Sequence, residues 1–174
     1  MDEIEIVDYD PRWPLLFGEE AETLRSVLDS SLIVGLEHFG STAIPGLSAK
    51  PIIDILIAVR SLAAAKATFV EALQPLDYVY WHHNPRKDRM FFVKGMPPFG
   101  ARRTHHVHVT EPEGEMWHRL AFRDYLRSHP EEALTYERLK RRLAAEHPTD
   151  REAYTEAKSA YVDLVMRKAT GQAG

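Results

Sequence analysis

Three groups of residues in this chain combine side chains and turns suited to phosphate and metal chemistry. The first lies between His38 and Ile55. Gly40-Ser41-Thr42 forms a small hydroxyl-bearing turn. With no side chain at Gly40, backbone N–H groups and the Ser41 and Thr42 hydroxyls can approach a phosphate. Asp54 is a lone acid in the apolar run Ile52–Val59, where a carboxylate can hold a divalent cation beside that phosphate. Lys50 adds positive charge at the entry to the run. An anion cradle and a metal ligand joined by a short connection suit metal-assisted transfer at phosphorus. The second group is His106 and His108. One residue separates them, so on a strand they share a face. Two imidazoles placed this way can join Asp54 around a metal, bind a phosphate or supply a general base. The third is a basic island, Arg86 to Arg103, whose six cations include Arg86, Arg89, Arg102 and Arg103 and whose one acid is Asp88. Arginine suits bidentate phosphate contacts, and a basic island in an acidic chain points to a local anionic ligand. The charged members of Phe122–Leu126 and Tyr154–Lys158 can also face a cleft, while their aromatic members read as core.

Positioning these residues requires a sheet. Residues 13–29 carry the helical stripe Phe17, Ala21, Leu24 and Leu28, with Pro14 in the first turn. A strand is expected over Gly35–Phe39, then a loop to Ser48 with a helical turn near its end. Ile52–Val59 reads as a central strand covered on both faces, with Asp54 beside Ile52, Leu56 and Ala58. Ser61 caps a helix over Leu62–Leu73. Tyr78–Trp81 and Arg89–Val93 form a hairpin-like pair, and Thr104–Thr110 supplies another strand with His105, Val107 and Val109 on its second face. The rest is helical over Glu115–Ser128, Glu131–Glu146 and Asp150–Lys168. Pro130 and Pro148 separate these helices, and Thr149 with Glu152 makes a capping box for the last. The expectation is one α+β domain, with an α/β core over 1–112 and helices over 113–170 packed on it.

Composition narrows the class. The chain has 174 residues, 44% hydrophobic and 28% charged, as in ordinary globular proteins. A net charge of −4 argues against general nucleic-acid binding. No apolar run approaches membrane-spanning length. The acidic start Met1–Glu5 lacks signal-peptide form. There is no cysteine, so disulfides and thiolate zinc sites are excluded. The expected setting is the cytoplasm, and the expected partner is a small phosphate-bearing ligand.

The run His38-Phe39-Gly40-Ser41-Thr42-Ala43-Ile44-Pro45-Gly46-Leu47, followed by Ala49-Lys50-Pro51-Ile52-Ile53-Asp54-Ile55, resembles the signature of the GrpB family. His106-Val107-His108-Val109, Phe122-Arg123-Asp124-Tyr125-Leu126, and Tyr154 with Lys158 follow in the same order. The resemblance extends from the Asp8–Trp13 segment to about Met166. It implies a nucleotidyltransferase-superfamily fold: a small mixed sheet with flanking helices, a Gly40-Ser41 loop gripping nucleotide phosphates, and chemistry dependent on Mg²⁺ or Mn²⁺. Asp54 matches the second acid of that superfamily's Asp-x-Asp strand, and Ile52 stands at the first. The strand of its third acid corresponds to His106–His108. One aspartate with two histidines suits a softer ion better than Mg²⁺.

Two readings follow. In the first, a nucleotidyl group is transferred from a nucleotide: Asp54, His106 and His108 hold the metal and the proton, and Gly40, Ser41, Thr42, Lys50, Arg89, Arg102 and Arg103 hold the phosphates. In the second, the same fold is a non-catalytic module for a nucleotide or a coenzyme A-related ligand.

Overall fold

The computed structural model describes residues 3–171. Helix α1 (Trp13–Val27) starts at a proline-bearing first turn and buries Trp13, Ala21 and Leu24, the face that the sequence stripe marks. Strand β1 (Ile33–Phe39) follows, and a tight turn over Ser41–Ala43 leads towards β2 (Ile53–Val59). This helical turn lies at the start of the Gly40–Ser48 loop rather than near its end, because Gly40 adopts φ +70° and redirects the chain there. Helix α2 (Leu62–Leu73) is capped by the Ser61 hydroxyl, which accepts from the Ala64 N–H at 3.2 Å. Strands β3 (Tyr78–Tyr80), β4 (Arg89–Lys94) and β5 (His105–Thr110) complete one sheet of order β1-β2-β5-β4-β3. Only β2 and β5 pair in parallel; the other neighbours are antiparallel.

The sheet has two different faces. Ile53, Ile55, Ile57, Val107, Val109 and Phe92 pack with α1 and α2 in the main core. The other face carries Asp54, His106 and His108, as strand alternation requires. Over it lie α3 (Glu115–His118), α4 (Leu120–Ser128), α5 (Pro130–Glu146) and α6 (Arg151–Ala169). The helix expected over Glu115–Ser128 is divided at Arg119, whose ψ of −7° leaves α geometry. Helix α6 is capped one residue later than the Thr149–Glu152 pattern implies: Asp150 Oδ1 accepts from the Ala153 N–H at 2.9 Å.

These helices attach mainly through the loop between β1 and β2. Ile44 and Leu47 are buried with Leu126, Tyr136 and Val165. The Arg127 Nε donates to the Ala43 carbonyl at 2.8 Å, and the Ser48 N–H donates to Glu137 at 3.1 Å. The loop thus joins the sheet to the helices, and a cavity remains between them. No helix among the described residues is long and apolar enough to cross a membrane.

Candidate functional site

The cavity has a volume of about 1020 Å³. Gly40, Ser41, Thr42, Lys50, Asp54, His106, His108, Arg86, Arg89 and Arg103 all line it. The structure therefore brings together the Gly-Ser turn, the lone acid, the histidine pair and three members of the basic island. Arg102 lies elsewhere. Its guanidinium is exposed and pairs with Glu5 at 3.3 Å, so of the two adjacent arginines only Arg103 reaches the cavity.

Asp54 and His106 are direct neighbours in the parallel β2–β5 pair. His106 Nδ1 lies 3.0 Å, and His108 Nε2 3.5 Å, from Asp54 Oδ1. One ligand atom from each residue lies within 4.8 Å of the others. Donors about 2.1 Å from a shared ion stand roughly 3.0 Å apart at octahedral angles and 3.4 Å at tetrahedral ones. The two separations from Asp54 Oδ1 lie close to that range, so the three residues can gather around a divalent cation. Two nitrogens and one oxygen suit zinc, iron or manganese better than magnesium.

Electrostatics keeps these ligands in metal-binding form. Burial pushes the Asp54 carboxyl up, but hydrogen bonds and charge from His106 and His108 outweigh it, holding the group well below the usual carboxylate range. Burial pushes the His106 pKa down against the pull of Asp54, favouring the neutral imidazole. The His106 Nε2 is buried without a hydrogen-bond partner among the described residues, as is the Tyr154 hydroxyl. Such atoms are exceptions in folded proteins and mark places that a bound molecule or water completes.

The turn beside this triad is held rigidly. His38 Nε2 lies 3.0 Å from Thr42 Oγ1, which donates to the Ile52 carbonyl at 3.4 Å. The Thr42 side chain, 2% exposed, therefore acts as a clasp within the loop. The His38 ring stacks on Phe17 at 4.7 Å. Arg123 donates to the His38 carbonyl at 2.8 Å and to Glu37 at 2.7 Å. Ser41 remains on the cavity wall beside Tyr136, whose hydroxyl burial pushes up to about 12 against an opposing hydrogen bond with Ser41. Arg89 pairs with Asp88 at 2.8 Å and Glu115 at 3.7 Å, so much of its charge is already compensated.

The far wall holds residues that the strand motifs do not reveal. Lys140 is 2% exposed and donates to the Ser48 carbonyl. Lys50 and Lys158 place their ammonium groups 5.1 Å and 4.4 Å from the centre of the Tyr154 ring, and Lys140 lies 5.0 Å from that of Tyr136. Burial, together with the other lysines, pushes both Lys140 and Lys158 down to about 7. Nine lysine and arginine side chains line the cavity against three carboxylates, so it is strongly cationic. Lys158 falls in the Tyr154–Lys158 motif. Lys140 sits in an unremarkable charged helix, and only packing on Ser48 reveals it.

A mixed α/β sheet with one face in the core and the other closing a cationic, metal-competent cavity defines the class of protein. The GrpB protein family model matches residues 3–168, and the chain belongs to the GrpB family. It is similar to a UPF0157 protein of Pseudomonas aeruginosa, 49% identical over 97% of this chain and 68% of that one. It is also similar to the crystal structure of conserved protein GrpB from Enterococcus faecalis, with a TM-score of 0.84, 33% identity and coverage of 97% of this chain and 98% of the other. A dephospho-CoA kinase of Mycolicibacterium paratuberculosis is 28% identical over 95% of this chain, which spans 46% of that protein.

Proposed function

We propose that this protein binds a nucleotide with a divalent cation and transfers its nucleotidyl group to a hydroxyl-bearing acceptor. One observation carries the reading: the Asp54–His106–His108 triad and the Lys50–Lys140–Lys158 group line the same cavity as Ser41. Crowding several ammonium groups around one cavity is repulsive, and an anionic ligand offsets that repulsion. A polyphosphate chain supplies that charge, and the triad sits where its reacting phosphorus would lie. This site supports the nucleotidyltransferase-superfamily placement implied by the Gly40–Asp54 signature.

The residues have distinct roles in this reaction. The acceptor oxygen attacks the phosphorus next to the sugar. The bond from that phosphorus to the bridging oxygen breaks, and pyrophosphate leaves towards Lys50, Lys140 and Lys158. His108 takes the proton of the acceptor hydroxyl as general base. Ser41 and the backbone at Gly40 orient the phosphate, and Arg103 offsets developing negative charge. A cation, when held by Asp54 and His106, would supply Lewis-acid polarisation and charge neutralisation and leave the His108 lone pair for the proton.

A second reading, a non-catalytic nucleotide or coenzyme A-related module, is favoured by Ile52, which leaves Asp54 as the single carboxylate of the triad. Similarity to part of a dephospho-CoA kinase also supports it. The test is to titrate nucleoside triphosphates with Mn²⁺ into the protein and its Asp54→Asn variant, then assay pyrophosphate release with hydroxyl acceptors. Metal-dependent binding with release supports transfer. Binding without release supports the accessory module, and absence of binding overturns both.

A further inference from the structure

The cavity face of the sheet carries an aromatic row that the phosphate and metal chemistry does not use. His108 on β5 pairs across the sheet with Phe91 on β4. The Trp81 N–H donates to the Phe91 carbonyl at 2.9 Å, extending the β3–β4 pairing by one residue. Their rings form a sequence from the triad to the sheet edge. Phe91 lies 5.0 Å from His106 and 4.8 Å from His108, and Trp81 lies 6.2 Å from Phe91. Phe91 and Trp81 both line the cavity, yet Trp81 is 45% exposed. An aromatic face open to a cavity offers a flat ligand a surface to stack on.

The row belongs to β3 and β4, whereas the lysines come from the β1–β2 loop and the covering helices. The triad occupies β2 and β5, the centre of the wall. Phe91 lies beyond it on the adjacent β4, and Trp81 continues β3, about 10 Å from β5 over two strand spacings. Lys50 precedes β2, while Lys140 and Lys158 project from α5 and α6. The cavity therefore has a lysine-bearing side, a metal-competent centre and an aromatic side, which also carries Arg86 and Arg89.

We propose that Trp81, set edge-on against Phe91 with their planes 75° apart, forms a stacking platform for a nucleobase, with the distal phosphates on Lys50, Lys140 and Lys158, so that the triad meets the phosphate nearest the sugar. This rests on the nucleotide-and-metal reading above and deepens it by fixing the ligand's direction. In that direction attack falls at the innermost phosphorus rather than the terminal one. Stacking uses the ring face rather than the indole N–H, so it favours flat rings over any particular base.

Equilibrium binding with Mn²⁺ present tests the orientation, using the four ribonucleoside triphosphates and inorganic tripolyphosphate as probes. At least one nucleotide is expected to bind the native protein more tightly than tripolyphosphate and to quench tryptophan fluorescence. Trp81→Leu should weaken that nucleotide by roughly five- to 150-fold, the range of base–aromatic stacking, and leave tripolyphosphate within about twofold. Trp81→Phe should restore most of the difference, which a general folding defect would not. Equal loss for both probes, or unchanged nucleotide affinity in Trp81→Leu, overturns the platform. Failure of tripolyphosphate to bind the native protein overturns the reading beneath it, and the platform with it.

Discussion

A Cβ on Gly40 would lie 2.6 Å from Asp54 Oδ2. Position 40 also adopts φ +70°, a region that side chains rarely occupy. The register of β1 on β2 explains the contact, because Phe39 pairs with Asp54 and the next residue turns over the carboxylate. Glycine at position 40 thus serves two needs at once, the turn and the space beside the metal-competent acid.

Gly40→Ala is therefore expected to displace either the turn or Asp54. Stability should fall by about 1–3 kcal/mol, the usual cost of a strained backbone position, as read by denaturant unfolding. Mn²⁺ affinity should fall with it. Unchanged stability and affinity would show that the turn relaxes freely.

Asp54→Asn keeps the side-chain shape and removes the anionic ligand. We expect Mn²⁺ or Zn²⁺ affinity to fall at least about tenfold, with near-ultraviolet circular dichroism unchanged. Calorimetric titration reads the affinity directly. Retained affinity would place the cation elsewhere.

Lys158→Met should separate stability from binding. Replacing a half-buried ammonium beside Lys50 with an apolar chain of similar length relieves repulsion, so the melting temperature should rise by roughly 2–4 °C, equivalent to about 1 kcal/mol in a domain this size. Tripolyphosphate affinity should drop at least about tenfold. A melting temperature below that of the native protein would argue that Lys158 is structurally compensated.

The same lysines predict a pH dependence of anion binding. With Lys140 and Lys158 pushed down to about 7 by burial and neighbouring lysines, both lose charge between neutral pH and pH 9 in the free protein. Lys50 and Arg141 oppose their protonation, and Asp54 and Glu137 favour it. A bound polyphosphate favours the charged forms, so binding takes up protons and affinity declines as pH rises. Calorimetry in buffers of different ionisation enthalpy measures that uptake. A flat affinity profile from pH 7 to 9 would contradict it.

His38 predicts acid sensitivity of the fold. Burial pushes its pKa down to about 4, with Asp54 opposing the shift. Between that value and the ordinary 6.5, the unfolded chain binds a proton that the native protein does not. Stability contributed by this site is thus complete above pH 6.5 and declines as pH falls towards 4, by up to about 3 kcal/mol. His105 and His106, also lowered by burial, act in the same direction. Urea unfolding across pH 4.5–7 should show the slope, and His38→Gln should reduce it.

Much of the fold was legible because local rules and tertiary demands agree. Pro14 and Ser61 mark helix starts, and alternation along Ile52–Val59 and Thr104–Thr110 assigns each residue to its face. Local pattern misplaces the turn at Ser41–Ala43 and the cap at Asp150 by position, and it does not signal the break at Arg119. Each depends on how the chain is redirected by its neighbours, which short-range propensity does not encode. Within the basic island, spacing does not distinguish Arg103 from Arg102, since the segment before β5 has no regular alternation.

The sequence by itself determined the chemical types: one carboxylate on an apolar strand, two imidazoles with a common face, a glycine turn and a surplus of arginine. Those properties follow from residue identity and strand geometry alone. Only the tertiary structure decided which of them meet. Parallel pairing of β2 with β5 places Asp54 opposite His106, although they stand 52 positions apart in the chain. Packing of α5 on the β1–β2 loop brings Lys140 to Ser48. Such contacts are set by the global arrangement of buried surfaces, because long-range pairing depends on the sheet and helices closing around one core.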